Sequence, residues 1–111
     1  MDCLFCKIIS GDVPCEKVYE DENYFAFNDI NPQAPFHILV IPKKHIDKIS
    51  KMNKNDNELV GGLFWVASKI CRDKSLSDYR LVINNGAGAG QTVFHIHLHI
   101  MGGRDMSWPP G

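Results

Sequence analysis

The sequence has no hydrophobic run that approaches the roughly 20 residues needed to cross a bilayer. Its first residues, Met1-Asp2-Cys3-Leu4-Phe5-Cys6, have neither the basic start nor the apolar stretch of a signal peptide. Neither sign of charge is in excess, because 12 Lys and Arg stand against 13 Asp and Glu. Without a basic excess, an extended nucleic acid is a poor partner, whereas a single nucleotide needs only a local pocket. We therefore expect a cytoplasmic protein with no membrane or extended nucleic-acid partner.

The cysteines are not expected to form a disulfide framework. Of Cys3, Cys6, Cys15 and Cys71, three lie within the first fifteen residues, which is a poor layout for cross-linking a fold. Together with the missing secretion signal, this indicates reduced thiols. The chain has 111 residues, of which 44% are hydrophobic and 23% are charged, and it shows no repeat or internal boundary. These values predict one globular domain over residues 1–111.

Apolar spacing predicts one short helix, one long helix and several strands. Residues 3–10 are predicted as a short helix ended by Gly11, and residues 56–74 as a long amphipathic helix. Strands are predicted at 18–20, 24–27, 37–41 and 79–83, and in a histidine-rich run that follows the glycine-rich loop 84–90. This order predicts an α+β fold with a mostly antiparallel sheet of about five strands.

The histidine-rich run is His95-Ile96-His97-Leu98-His99-Ile100, which holds three of the five histidines. A strand has a side-chain period of two, so the imidazoles are expected on one face and the aliphatic side chains on the other. A single metal held by all three is disfavoured, because His95 and His99 would be anchored roughly 13 Å apart. Nucleophilic catalysis on phosphorus is a second interpretation, and surface histidines on an edge strand are a third.

Two polar residues stand between the glycine-rich loop and the histidines. The amide of Gln91 and the hydroxyl of Thr92 are candidates for contacting phosphate oxygens. The alternative is a loop junction whose polar side chains are solvated.

The segment His95-Ile96-His97-Leu98-His99-Ile100-Met101 resembles the signature of the histidine triad family. The resemblance extends to residues 28–35, 39–45, 102–104 and 108–111, which are similar to the histidine-triad nucleotide-binding branch. It implies a homodimer whose two sheets join, and hydrolysis of purine nucleoside 5′-phosphoramidates, as in an adenosine 5′-monophosphoramidase.

The same resemblance implies roles for individual residues. His97 would be the nucleophile that forms a nucleotidyl-histidine, supported by His37 and His99, with Gln91 and Thr92 around the phosphate and leaving group. The ribose would contact Asp29, Asn84 would lie near the same ligand, and Trp108 would reach toward the partner subunit's site. The slot for the base would consist of Leu4, Phe5, Ile8, Phe27, Ile30 and Leu39. An ordinary core position is the alternative for all six, and for Leu39 the two interpretations are equally favoured.

At two positions the residue differs from the one that is usual in the histidine-triad nucleotide-binding branch. Thr92 stands where serine is usual, and its methyl group stiffens the side chain. Ser107 stands where some relatives have histidine before the tryptophan. Both changes are expected to affect the choice of leaving group and to leave the reaction class unchanged.

Cys3-Leu4-Phe5-Cys6 supplies two thiols at the spacing of half a tetrahedral zinc site. The set Cys3, Cys6, His45 and His95 resembles the structural zinc site of many relatives, which predicts a closed zinc site and no catalytic metal. The alternative is a pair of reduced cysteines on a short helix.

Other functions stay open at this stage. They are a nucleotide-binding or scaffolding module with incidental turnover, a zinc-dependent hydrolase, and a dinucleoside polyphosphate hydrolase or transferase of the same family. The ending Trp108-Pro109-Pro110-Gly111 favours the phosphoramidase branch.

Overall fold

The computed structural model describes residues 2–111 of the chain. Over this range the chain forms two α-helices and one antiparallel sheet of five strands in the order β1-β2-β3-β5-β4. The elements are α1 Leu4–Ser10, β1 Lys17–Glu20, β2 Tyr24–Asn28, β3 Phe36–Pro42, α2 Asn57–Asp73, β4 Tyr79–Val82 and β5 Leu98–Gly102. The predicted α+β fold is confirmed. Among the described residues, neither helix combines the length and apolar character needed to cross a membrane.

Strand β3 is the centre of the sheet and determines which side chains meet. Leu39 on β3 lies opposite Phe27 on β2 and His99 on β5. Directly paired residues of neighbouring strands share a face, so these three side chains form a row across one side of the sheet. The adjacent residue Val40 pairs with Ala26 and Leu98, and these point to the other side.

The two faces of the sheet are covered unequally. The long helix α2 covers one face, where it buries a cluster that includes Val40, Leu63, Ile70, Leu98 and Ile100. The short helix α1 covers only part of the opposite face, where Phe5 and Ile8 pack on Phe25, Phe27, Leu39 and Ile41. The row of side chains that contains His99 therefore lies on the partly open face.

The structure differs from the sequence prediction at the histidine run. Strand β5 begins at Leu98, so only His99 of the three alternating histidines lies within it. The pairing of β5 with β3 ends at Leu98 and Val40, and beyond it the N–H of Ile96 donates to the carbonyl of Ile46 at 2.8 Å instead of to the sheet. The predicted alternation nevertheless continues, because Ile96, Leu98 and Ile100 are all buried against α2.

The start of the long helix also differs. Asn55 and Glu58 are the predicted capping pair, but the capping box is formed by Asn53 and Asp56, and α2 begins at Asn57 after a 3-10 turn. Asp56 accepts hydrogen bonds from the N–H of Asn53 at 3.0 Å and from Lys44 at 2.7 Å. This second bond is tertiary and cannot be read from the local sequence.

Two adjacent glycines in α2 offer a matched test of packing. A Cβ at position 62 would collide with the ring and hydroxyl of Tyr24, whose hydroxyl donates to the carbonyl of Leu59 at 2.6 Å, whereas a Cβ at Gly61 meets open space. Gly62→Ala should destabilise the protein by about 1–3 kcal/mol, because the tyrosine must move. Gly61→Ala should stabilise it by about 0.5–1 kcal/mol through helix propensity. Denaturant unfolding of both variants checks this, and equal effects would contradict it.

Candidate active site and metal centre

The tautomer of His97 is fixed by its surroundings. Its Nδ1 lies 2.8 Å from the carbonyl oxygen of His95, which can only accept a hydrogen bond. Nδ1 therefore carries the proton, and Nε2 keeps a free lone pair. The ring of Phe5 packs edge to face against His97 with centroids 5.0 Å apart, which restricts rotation of the imidazole.

A series of hydrogen bonds fixes the tautomers of His37 and His99. The backbone N–H of Gln33 donates to Nδ1 of His37 at 2.9 Å, so the proton of this imidazole is on Nε2. That Nε2 lies 2.9 Å from Nδ1 of His99, which must accept, and 3.4 Å from Oδ2 of Asp29. His99 consequently carries its own proton on Nε2. Because a main-chain group of Gln33 starts this series, no side-chain pattern in the sequence could have revealed it.

These histidines are uncharged at neutral pH. Burial lowers the pKa of His97 and of His37, and in His37 the charge of Asp29 partly opposes the effect. Burial also lowers the pKa of His99 to about 4, with a further contribution from His97 and His37. The arrangement therefore combines a free imidazole lone pair on His97 with an imidazole N–H donor on His99, whose rings are 5.0 Å apart.

A pocket of about 250 Å³ brings most of the predicted binding residues together. It is lined by Leu4, Phe5, Ile8, Phe27, Asp29, Ile30, Leu39, Thr92, Val93, His97 and His99. Val93 is missing from the sequence prediction, and its position next to Thr92 was the only available signal. Ile30 is 96% exposed at the mouth of this pocket, so a ligand there would remove its apolar side chain from water.

Three predicted contact residues do not line the pocket. Gln91 is buried, and its side-chain amide bonds to Gly86, Asp47 and Val93. Asn84 directs its amide toward the carbonyl of Gly90 at 3.5 Å, within the glycine-rich loop. Trp108 is 83% exposed in the C-terminal tail.

A separate cluster joins the two N-terminal cysteines to His45 and His95. Nδ1 of His95 lies 3.5 Å from Sγ of Cys3 and 3.6 Å from Sγ of Cys6, and Sγ of Cys6 lies 3.5 Å from Nδ1 of His45. The two Nδ1 atoms are 3.2 Å apart. Around a tetrahedral zinc, sulfur and nitrogen ligands are about 3.5 Å apart and two nitrogens about 3.3 Å apart. These four separations match those of a zinc tetrahedron, and all four ligand atoms lie within 4.8 Å of one another.

The outer hydrogen bonds of the cluster also suit a metal. Nε2 of His95 donates to the carbonyl of Pro42 at 2.7 Å, and Nε2 of His45 donates to Oδ1 of Asp47 at 2.6 Å. Both Nδ1 atoms then present lone pairs to the same point, where they cannot bond to each other. A cation bound between them and the two sulfurs would remove this repulsion. Asp47 is absent from the sequence prediction, although its place two residues after His45 was a usable signal.

A third group, Asp29, His37 and His99, has ligand atoms equally close together but does not suit a metal. Nδ1 of His37 accepts from the N–H of Gln33, so the Nε2 that faces this group carries a proton. Its lone pair is unavailable to an ion, and the group is better described as a hydrogen-bonded part of the pocket.

Comparison with known proteins finds one matching family model and similar proteins over most of the chain. The family model of the HIT domain matches residues 10–106. A 14 kDa zinc-binding protein of Zea mays is 48% identical, and the alignment covers 97% of this chain and 87% of that protein.

Two solved structures are similar over almost the whole chain. A HIT family hydrolase from Legionella pneumophila Philadelphia 1 superposes with a TM-score of 0.96 at 53% identity, covering 99% of this chain and 100% of the other. A histidine triad nucleotide-binding protein from Candida albicans superposes with a TM-score of 0.84 at 31% identity, covering 97% and 83%.

Proposed function

The chain belongs to the HIT domain family, and we propose that it hydrolyses the phosphorus–nitrogen bond of purine nucleoside 5′-phosphoramidates. The observation that carries the proposal is the pairing of tautomers. His97 offers an unprotonated Nε2 and His99 a protonated Nε2 in one pocket. A nucleophile beside a neutral hydrogen-bond donor is suited to attack on a phosphoryl group whose oxygens gain charge. The hydrolase and nucleotide-binding relatives lend further support.

The remainder of the pocket suits a nucleoside. Aromatic and aliphatic side chains form one wall, including Phe5, Phe27 and Leu39, and these offer flat apolar contact to a purine. Asp29 lies at the pocket beside the exposed Ile30, and its carboxylate can accept hydrogen bonds from ribose hydroxyls.

The proposed reaction has two steps. Nε2 of His97 attacks the α-phosphorus while its Nδ1–H stays on the carbonyl of His95. The departing nitrogen takes the bonding pair and one proton from solvent, which the hydroxyl of Thr92 in the same pocket can transmit. Nε2–H of His99 donates to a phosphoryl oxygen. In the second step water attacks phosphorus and releases one proton to solvent, and the electron pair of the bond between phosphorus and Nε2 returns to His97.

We also propose that Cys3, Cys6, His45 and His95 hold a structural zinc ion. When bound, the ion supplies a cross-link between α1 and the segment that carries the nucleophile, and no chemistry. The four cysteines form no disulfide in the described chain, which suits a reducing, cytoplasmic environment.

A homodimer joined through strand β4 is the assembly that we propose. Of the two sheet edges, β1 is interrupted by an irregularity between Lys17 and Tyr19 and carries charged side chains, which discourages pairing. The edge at β4 has no such irregularity. Arg80 of β4 donates to the carbonyl of Ser107 at 2.8 Å, which fixes the tail with exposed Trp108 beside that edge. The tail is thus close to where a partner would lie.

Incubation with an adenosine 5′-phosphoramidate tests the proposed activity. We expect release of adenosine monophosphate and free amine, with a transient mass increase of one nucleotidyl group on the protein. Tight binding of adenosine monophosphate without turnover would instead identify a nucleotide-binding module. Cleavage of dinucleoside polyphosphates alone would identify the other hydrolase class.

The lowered pKa values predict an unusual pH profile. An ordinary histidine with a pKa near 6.5 would be about nine-tenths protonated at pH 5.5 and would lose its lone pair. Burial lowers the pKa of His97, and that of His99 to about 4, so both should stay neutral to a lower pH than an ordinary histidine. The acid-side fall of kcat/KM should therefore begin at a lower pH than the titration of an ordinary histidine would give. Enzyme-free hydrolysis is subtracted, and circular dichroism checks the fold. A loss of activity that follows a pKa near 6.5 would contradict this prediction.

A further inference from the structure

Gln91 is a buried amide next to the site that the proposed reaction does not use. Only 3% of the residue is exposed. Its Nε2 donates to the carbonyl oxygens of Asp47 at 2.8 Å and Val93 at 3.1 Å, and its Oε1 accepts from the N–H of Gly86 at 2.8 Å. An amide nitrogen has two protons, and both are engaged. No donor remains for a phosphate or a leaving group.

These bonds close the glycine-rich loop. The N–H of Gln91 donates to the carbonyl of Gly86 at 3.1 Å, while the N–H of Gly86 donates back to the side chain of Gln91. The backbone at Gly86 and Gly90 has φ +96°, which permits the tight return of the chain between these bonds. Two hydrogen bonds therefore join the ends of the segment 86–91 into a closed ring, and Thr92 directly follows this ring.

The same side chain connects this ring to the Cys/His cluster. Its partner Asp47 accepts from Nε2 of His45, while the other cluster histidine, His95, provides the carbonyl that fixes the tautomer of His97. The segment 91–97 is consequently held at its beginning by the hydrogen bond between Gln91 and Asp47, and near its end by the contacts of His95 in the Cys/His cluster.

We propose that Gln91 is a positioning residue that holds Thr92 and Val93 at a fixed place relative to His97 and does not touch the substrate. The proposal rests on the proposed phosphoramidase function for its kinetic consequences. The two side chains that it positions line the pocket, whereas Gln91 lies behind them. Its three side-chain hydrogen bonds are all made to main-chain groups of the protein, which hold it in place independently of the pocket.

The first test is Gln91→Met, which keeps the length of the side chain and removes its hydrogen bonds. A displacement of the segment by a fraction of an ångström should lower kcat by about tenfold to a hundredfold and change KM little. The factor should be the same for leaving amines of equal basicity that differ in size, because none of them contacts residue 91. A factor that varies strongly with the size of the amine would show contact with the leaving group and overturn the proposal.

The second test is Gln91→Glu, which responds to pH. A protonated carboxyl can donate to the carbonyl of Asp47 and accept from the N–H of Gly86, whereas an ionised one faces two carbonyl oxygens. Burial next to those oxygens should raise the pKa of the introduced carboxyl. The activity of the variant relative to the native protein at each pH should therefore rise as pH falls. A ratio that does not change with pH would count against positioning.

A readout independent of turnover separates this proposal from the proposed function. If the native protein fails to cleave phosphoramidates, the function is wrong, but hydrogen exchange still tests the position of Gln91. The amide of Gly86 should exchange faster in Gln91→Met than in the native protein, because its acceptor is lost. Unchanged exchange at Gly86 would overturn the positioning role whatever the activity.

Discussion

Replacing His97 with alanine should reduce phosphoramidate turnover by about 10⁴-fold or more, because no other group supplies the nucleophile. The imidazole of His97 is the one whose Nε2 keeps a free lone pair in the pocket, since its Nδ1 is bound to the carbonyl of His95. The nucleotidyl adduct should disappear together with the activity. Steady-state kinetics and intact mass after rapid quenching measure the two effects.

The variant His97→Asn provides the matched control for loss of shape. Its amide can still donate to the carbonyl of His95 and pack near Phe5, but it offers no nucleophilic nitrogen. We expect it to be as inactive as His97→Ala while it folds normally and binds adenosine monophosphate within about tenfold of the native protein. Residual activity above one part in about 10² in either variant would place the nucleophile elsewhere.

Removing both N-terminal thiols with Cys3→Ser and Cys6→Ser should abolish zinc binding and markedly destabilise the protein. If the ion is present at 100 times its Kd, its loss costs about 2.7 kcal/mol. For a chain of this size that corresponds to a fall in Tm of about 10 °C or more. Metal analysis should find about one zinc per native chain and none in the double variant. Differential scanning calorimetry gives the change in Tm.

Cys15→Ser is the matched control, because Cys15 is a free, half-buried thiol that lies outside the Cys/His cluster. It should keep its zinc and unfold close to the native Tm. A chelator should lower the Tm of this control and of the native protein, but not that of the double variant. Native protein that lacks zinc and whose Tm is indifferent to chelator would eliminate the metal site.

The sequence predicted those parts of the site that depend on local periodicity or on recognisable motifs. The strand at 37–41 is enriched in β-branched and aliphatic residues, and the structure extends it by one residue at each end. The four possible zinc ligands are brought together although they come from three separate segments of the chain. The expectation that these four residues lie together came from the resemblance to a family and not from spacing alone.

The features that could not be predicted depend on main-chain atoms brought together by the fold. The tautomer of His37 is set by the N–H of Gln33, and the tautomer of His97 by a carbonyl two residues away. The side chain of Gln91 reaches main-chain groups in three places, one of them 44 positions distant. A sequence records which side chains are present but not the direction in which a distant peptide group points. For this reason the side chain of Gln91, which the sequence predicted to contact the phosphate of the substrate, lies behind the pocket.

The Cys/His cluster also constrains the order in which this chain can assemble during synthesis. His95 contacts Cys3, which lies 92 positions earlier, so this contact at the start of α1 cannot form until residue 95 has been synthesised. Bringing Cys3 and His95 together is slow relative to local helix formation. The conformational entropy of the chain between them is lost before the contact is gained. An incomplete chain therefore has neither the last ligand nor the nucleophile beside it. Completion of the Cys/His cluster and positioning of the catalytic histidines therefore become a single event that follows the packing of α1 on β2 and β3.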